Sequence, residues 1–306
     1  MVSILMGTFN GERYIEKQLQ SICNQTYKDW DLWISDDGSN DKTLEICRKF
    51  QKDQINEHQV RILNGPRKGF SANFLSLVKR VQSGAEYYCF ADQDDIWLKQ
   101  KIERAIGILQ KFDKNTPALY CGRTELINAD GVRYSPPKLS RLRKCQPSFS
   151  NSLAQSLASG NTMVFNNCAR GKLLKSLPTI NVPSHDWWAY IIISGCGGKV
   201  IYDPEPYVLY RQHDRNTIGD NSGLLKLIKR GRKFLKSEYR KYNDENAKAL
   251  FEHMEVLTDQ NKEIYHLFQK ARTKGHGNLS SLYKSGVSRE GLTNIGLWLG
   301  CLINKI

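Results

Sequence analysis

Within its first 110 residues the chain repeats one unit four times: a short apolar run, a polar loop, then apolar residues at helical spacing. "VSILM" (2–6) passes through "GTFNG" to a stripe of Ile15, Leu19, Ile22 and Cys23, with Asn10 placed as N-cap. "DLWIS" (31–35) passes through "DDGSND" to Leu44, Cys47 and Phe50, with Ser39 or Asn40 as the cap. "VRIL" (60–63) and "GPRKG" precede Phe74, Leu77, Val78 and Val81. "YYCFA" (87–91) and "DQDD" precede Ile102, Ala105, Ile106 and Leu109. Such alternation predicts an α/β fold, with a mostly parallel sheet flanked by helices. Ligands of these sheets sit beyond the carboxyl ends of the strands. All four loops fall at those ends, so they should converge on one cleft.

The second half is less regular. "NTMVF" (161–165) and "GKVIYD" (198–203) read as strands, and "HDWWAYIIIS" (185–194) as a buried helix. The composition shifts near Gly223, which divides an α/β domain over 1–222 from a basic helical region over 223–306. Residues 224–241 hold eight Lys/Arg and one Glu, and "NIGLWLGCLINKI" (294–306) is apolar again.

The chain has 306 residues, 40% hydrophobic and 25% charged, which suffices for a sizeable core. Its net charge of +14 points to an anionic partner: nucleic acid, an acidic membrane surface or a phosphorylated small molecule. Eight cysteines are scattered without a CxxC pair, so they read as reduced core residues rather than a zinc site. The N-terminus lacks the basic stretch of a signal peptide. No run reaches the ~20 apolar residues of a spanning helix. A cytoplasmic protein is expected.

Asp92, Asp94 and Asp95 crowd onto one turn after a buried strand, where like charges repel. A hard cation, Mg²⁺ or Mn²⁺, would relieve that repulsion and share its shell with water and phosphate. A solvated acidic turn, with Asp95 capping the next helix, is the other reading. In "WISDDGSND" (33–41) an aspartate at a strand end can accept a hydrogen bond from a pyrimidine ring N–H, and Gly38 allows close approach. The same stretch also suits a plain strand–turn–helix connection. "GTFNGE" (7–12) carries the same ambiguity.

Taken together, "VSILMGTFNGERYIEKQLQSICNQTYKDWDLWISDDGSNDKT" and "FADQDDIWLKQKI" resemble the inverting glycosyltransferases of family 2, which have the GT-A fold. "DQDDIW" and "YRQHDRNTIG" (210–219) are most similar to the branch with bacterial rhamnosyltransferases of surface-polysaccharide synthesis. The resemblance covers about residues 2–220. It implies a GT-A nucleotide-sugar-binding fold with a helical C-terminal extension. It also implies that Thr8, Asn10 and Glu12 line a nucleotide pocket, that Asp37 bonds the pyrimidine, and that Asp92 and Asp94 hold Mg²⁺ or Mn²⁺ on the donor diphosphate.

By the same resemblance the catalytic base is Asp186, in "SHDWW". His185 stands where the family often has a first acid. His213 would approach the metal or diphosphate; Asp214 replaces the glycine that usually follows it. Lys68 could lie near the nucleotide or in a solvated loop. Arg211 and Arg215 suit a diphosphate clamp or a surface position. Trp187 and Trp188 could face an acceptor sugar or pack in the core.

The implied reaction moves a sugar from a nucleoside-diphosphate donor to a saccharide acceptor, with inversion. dTDP-rhamnose is the preferred donor; UDP-galactose, UDP-glucose and UDP-N-acetylhexosamine are rivals. A polyprenyl-diphosphate-linked acceptor would suit a basic tail that contacts anionic lipid at the inner face of the membrane, although a helical cap on the catalytic domain reads equally well. A nucleotidyltransferase would carry a Gly- and Arg/Lys-rich phosphate loop after the first strand, which "GTFNGE" is not. A nucleic-acid binder would interleave basic and aromatic residues along one surface; here acidic loops face the cleft, so no nucleic-acid partner is expected.

Overall fold

Each of the four apolar runs forms a strand and each stripe a helix. The order is β1 (Val2–Thr8), α1 (Ile15–Cys23), β2 (Trp30–Asp36), α2 (Thr43–Asp53), β3 (Val60–Asn64), α3 (Phe70–Arg80), β4 (Tyr87–Asp92) and, after a two-residue β5 (Ile96–Trp97), α4 (Lys101–Leu109). The computed structural model describes residues 1–82, 84–134, 146–213, 238–273, 278–289, 293–303 and 305–306. The chain continues through β6 (Ala118–Ile127), α5 (Phe149–Ser152), a 3₁₀ turn (Gly160–Thr162), β7 (Val164–Asn166), α6 (Asn167–Lys175), α7 (His185–Gly195) and β8 (Lys199–Arg211). The C-terminal helices are α8 (Glu238–Phe251), α9 (Asp259–Thr273), α10 (Leu279–Ser285) and α11 (Thr293–Leu302).

The strands form one sheet of order β3-β2-β1-β4-β7-β6-β8-β5. The first half is parallel, with Leu5 level with both Trp33 and Phe90. β7 runs antiparallel to both β4 and β6, and β5 to β8, while β6 and β8 are parallel. Side chains alternate across the sheet, and the core divides accordingly. Ile4, Met6, Leu32, Ile34 and Cys89 pack under α1, α2 and α4. Leu5, Trp33 and Phe90 face α3 and α7. The C-terminal helices join that second cluster through Leu250, Phe268, Leu282 and Leu297, so they share a core with the sheet. The seven cysteines among the described residues are free.

Several local expectations need correction. Asn10 does not cap α1, which begins five residues later; it takes φ 47° and braces the neighbouring loop. Ser39 and Asn40 do not cap α2, because Ser39 is bonded to Asp36 and Asp41 accepts from the Thr43 N–H instead. Asp95 caps nothing either, since β5 intervenes before α4. "NTMVF" divides into a 3₁₀ turn and a short strand, because Asn161 and Thr162 bond to neighbouring groups rather than continuing a ladder. β6 has only "ALYC" as an apolar signal; its polar second half is covered by β8.

Candidate active site

β1, β2 and β4 end level with one another: Thr8 pairs with Asp36, and Gly7 with Asp92. The loops that follow are braced before any ligand arrives. Asp36 accepts from Thr8 Oγ1 (2.9 Å), from the Ser39 N–H (2.8 Å) and from Ser39 Oγ (2.6 Å). Asn10 Oδ1 accepts from the Asn40 N–H (2.8 Å), and Glu12 Oε2 from the Lys42 N–H (3.0 Å). Gln93 forms a two-point clamp on Phe9, accepting from its N–H and donating to its carbonyl, both at 2.9 Å. Gly11 lies beneath that clamp, and a Cβ there would push the Gln93 amide aside.

These loops wall a cleft of about 1380 Å³, large enough for a nucleotide sugar. Thr8, Asn10, Glu12, Asp37, Asp92, Asp94, Asp186 and His213 all line it. Asp37 accepts from the backbone N–H groups of Arg67 (2.6 Å) and Gly69 (2.8 Å), which fixes its carboxylate at the mouth of β2. Two carboxylate oxygens offer about four acceptor sites, so capacity remains for a base N–H.

Asp94 Oδ2 lies 2.7 Å from His213 Nε2. The His213 ring stacks on Tyr14 with centroids 4.9 Å apart. Asp92 is pushed up to about 8, first by burial and then by the charges of Asp94 and Asp186. Asp95 has a different task. It is fully buried, and it accepts from Asn161 Nδ2 (2.5 Å) and the Arg211 N–H (3.1 Å). Lys101 lies buried over the Trp97 ring, its Nζ 3.5 Å from the centroid, and burial lowers it to about 8. Its charge opposes those of Asp92 and Asp95.

Asp186 occupies the first turn of α7, where the helix dipole favours an anion. Its carboxylate accepts from the Gly160 N–H (2.9 Å) and the Trp187 N–H (2.7 Å). His185 beside it is buried, stacked on Phe74 at 4.0 Å and edge-on to Phe90 at 4.7 Å. Among the described residues neither ring nitrogen has a hydrogen-bond partner. Burial lowers its pKa to about 4, against the opposing pull of Asp186, so the ring is neutral at physiological pH.

Arg211, Lys68, Trp187 and Trp188 are not among the residues that line the cleft. Arg211 is fully buried; its guanidinium donates to the carbonyls of Asp94 (2.8 Å), Asn128 (3.3 Å) and Ala129 (3.0 Å), so it secures loops instead of clamping a diphosphate. Lys68 is exposed and outside the cleft lining, where Arg67 stands in its place. Arg67 adopts φ 57° and packs over Gly38, a backbone reversal that residue type does not announce. Trp187 and Trp188 donate to the carbonyls of Ser152 and Ser176, and neither lines the cleft. Arg215 lies outside the described residues. Phe9, within "GTFNGE", also lines the cleft, as do Phe70 and Gly160, which no motif marked.

Among the described residues no group of three or more His, Cys, Asp or Glu side chains is gathered to hold a metal alone. The donor set still fits Mg²⁺ or Mn²⁺, which bind through one or two carboxylates and complete their shell with water and phosphate. Asp94 would supply one carboxylate. Asp92, crowded by like charge, would be relieved by a cation.

A sheet of this order, with braced loops and acids at its carboxyl edge, is the GT-A glycosyltransferase fold. Residues 3–174 match the sequence model of Glycosyl transferase family 2, and the chain belongs to that family. It is 32% identical over 255 residues to dTDP-rhamnosyl transferase RfbG of Shigella flexneri, covering 80% of this chain and 84% of that one. Two solved structures share the fold at 15% identity. S. aureus TarS 1-349 in complex with UDP-GlcNAc has a TM-score of 0.53 and covers 98% of this chain and 81% of its own. Mannosyltransferase PcManGT from Pyrobaculum calidifontis, in complex with GDP-Man and Mn²⁺, has a TM-score of 0.55 and covers 94% and 86%.

Proposed function

We propose that this glycosyltransferase is metal-dependent and inverting, and that it moves rhamnose from dTDP-rhamnose to a saccharide acceptor during O-antigen, capsule or other surface-polysaccharide synthesis. One observation carries the mechanism: Asp92, Asp94 and Asp186 face the same cleft. The similarity to RfbG supports the donor. A UDP-sugar is the second reading, supported by the UDP-GlcNAc complex of the structurally similar TarS. Residues 1–222 would form the catalytic unit.

In this reading Asp37 and the Thr8–Glu12 loop seat the nucleoside, and Arg67 adds positive charge at the rim. Asp92 and Asp94, with His213 beside them, would hold Mg²⁺ or Mn²⁺. Once bound, the cation supplies Lewis-acid stabilisation of the departing diphosphate. Asp186 takes the proton of the acceptor hydroxyl as its oxygen attacks the anomeric carbon opposite the nucleotide. The bond from that carbon to the phosphate oxygen breaks, and the configuration inverts.

A polyprenyl-linked acceptor would bring the protein to the inner face of the membrane. No helix among the described residues is long and apolar enough to cross a membrane. However, Ile295, Leu299, Leu302 and Ile303 are exposed along and just beyond α11, and the basic stretch 224–241, outside the described residues as far as 237, supplies charge for anionic lipid.

A thermal-shift panel tests the donor. dTDP-rhamnose, UDP-galactose, UDP-glucose and UDP-GlcNAc are each added with and without Mn²⁺. The largest metal-dependent stabilisation is expected with dTDP-rhamnose. A selective response to one UDP-sugar would transfer the assignment to that donor, and no response to any would remove it.

A further inference from the structure

The 3₁₀ turn Gly160–Thr162 touches both halves of the site. Its first residue donates its N–H to Asp186 Oδ2 at 2.9 Å. Its second donates from Asn161 Nδ2 to Asp95 Oδ2 at 2.5 Å, within the DQDD loop. Its third, through Thr162 Oγ1, accepts from the Gly122 N–H of β6 at 3.1 Å. Ser159 Oγ further holds the Asn161 side chain, at 2.8 Å from Oδ1. Consecutive residues therefore join the base, the acids on the donor side and the sheet.

Position 160 has no room for a side chain. A Cβ there would lie 2.7 Å from His185 Nε2 and 3.2 Å from Asp186 Cβ. The obstruction is a stacked ring and the first carbon of the base itself, neither of which is a flexible chain end. His185 cannot retreat, because Phe74 stacks on one face and Phe90 meets it edge-on. A methyl at 160 would have to displace the turn or the Asp186 side chain.

We propose that Gly160 is the positioning residue for the Asp186 carboxylate, and that Asn161 anchors the same turn to the DQDD loop so that base and donor acids keep a fixed separation. This rests on Asp186 being the base. The Gly160 N–H holds Oδ2 and the Trp187 N–H holds Oδ1, so the carboxylate is fixed at both oxygens, and each keeps a lone pair to address an acceptor. A displacement of about 1 Å at a reacting group costs on the order of 10²-fold in rate.

The test compares Gly160→Ala, Asp186→Asn and their combination in the full chain. Its readout is nucleoside diphosphate released from dTDP-rhamnose and the three UDP-sugars, with water as acceptor, while calorimetry measures UDP and dTDP binding with Mn²⁺. Gly160→Ala is expected to lower turnover about 10²-fold with nucleotide affinity within about twofold, and to add no further loss in the Asp186→Asn background, as for residues that act as a unit. Adding His185→Ala, which removes the obstructing ring, is expected to recover at least about tenfold over Gly160→Ala. Should Gly160→Ala not fold, that paired variant carries the test by its own turnover. Gly160→Ala with full turnover, a loss confined to nucleotide affinity, or a paired variant without recovery would overturn the proposal. Full turnover in Asp186→Asn would instead overturn the base assignment.

Discussion

The imidazole Nε2 of His213 lies 2.7 Å from Oδ2 of Asp94, joining the end of β8 to the loop after β4. Without a cation the two side chains satisfy each other. With Mg²⁺ or Mn²⁺ bound, Asp94 would be a ligand, and His213 would either join it or hold the acid in place. Either role predicts that His213→Ala weakens Mn²⁺-dependent UDP or dTDP binding by about 10–100-fold, with metal-free binding little changed. Asp94→Asn should remove the metal dependence. Calorimetry with and without Mn²⁺ reads both; a His213→Ala curve that overlays the unmodified protein would separate the histidine from the metal.

Asp186→Asn keeps the shape of the carboxylate and removes its basicity. General-base assistance is typically worth about 10²–10⁴-fold, and turnover should fall by that factor. Donor binding should hold, because the Asp186 carboxylate is bonded to Gly160 and Trp187 and not to the loops proposed to seat the nucleoside. A matching loss of affinity would make Asp186 a donor-binding residue.

Asp92 would give metal binding a pH dependence. Its carboxyl is raised to about 8 by burial and by Asp94 and Asp186, so the metal-free protein holds a proton there at neutral pH. Cation and proton compete for this oxygen. Mn²⁺ affinity should therefore rise up to about tenfold per pH unit as pH climbs from 6 to 8, then level off. Asp92→Asn should flatten that slope.

The sheet's first half was legible because helical and strand periodicity coincide there with loop chemistry: Leu5, Trp33 and Phe90 alternate as a buried face should. The cleft acids were legible because short motifs hold them. Arg211 was not, since the same guanidinium that suits phosphate also satisfies three carbonyls, and only burial separates the two uses. Gly160 was silent for a similar reason: its role depends on His185 and Asp186, 25 or more residues away. The His185 position was visible as a departure from an acid, but its neutrality comes from Phe74 and Phe90 on other elements.

That neutrality carries a stability signature. The His185 pKa is about 4 when folded, against 6.5 for an ordinary histidine. Between those values the unfolded chain takes up a proton that the folded protein refuses, so stability rises with pH across this window and is lost as pH falls through it. The share amounts to about 3 kcal/mol at full effect. Urea unfolding at pH 4.5 and 7.5 should show a smaller acid loss in His185→Leu than in the unmodified protein. Equal losses would mean that the ring accepts its proton in place.

Arg211 separates scaffold from clamp. Its guanidinium is fully buried beneath the DQDD loop, bonded to Asp94, Asn128 and Ala129 carbonyls. Arg211→Ala strands those acceptors and opens space, at a cost of about 3 kcal/mol or more. The loss should appear first as a lower melting temperature. A diphosphate clamp would instead show normal stability with weakened nucleotide binding, and differential scanning calorimetry beside UDP titration distinguishes the two.

The apolar stripe of α11 predicts where lipid would touch. Ile295, Leu299, Leu302 and Ile303 are each 44% or more exposed, while Leu297 and Cys301 on the same helix are buried in the core. Deleting the C-terminal region would strip Leu250, Phe268 and Leu297 from the sheet's core and confound the test. Point substitutions avoid that. The full chain should sediment with phosphatidylglycerol vesicles and far less with phosphatidylcholine, because each Lys/Arg near an anionic surface adds about 1 kcal/mol. Leu299→Glu with Ile303→Glu should cut vesicle binding by tenfold or more, while nucleoside diphosphate release from the soluble donor continues at its original rate. Sedimentation unchanged by the pair, or absent from the start, would assign the stripe to something other than lipid.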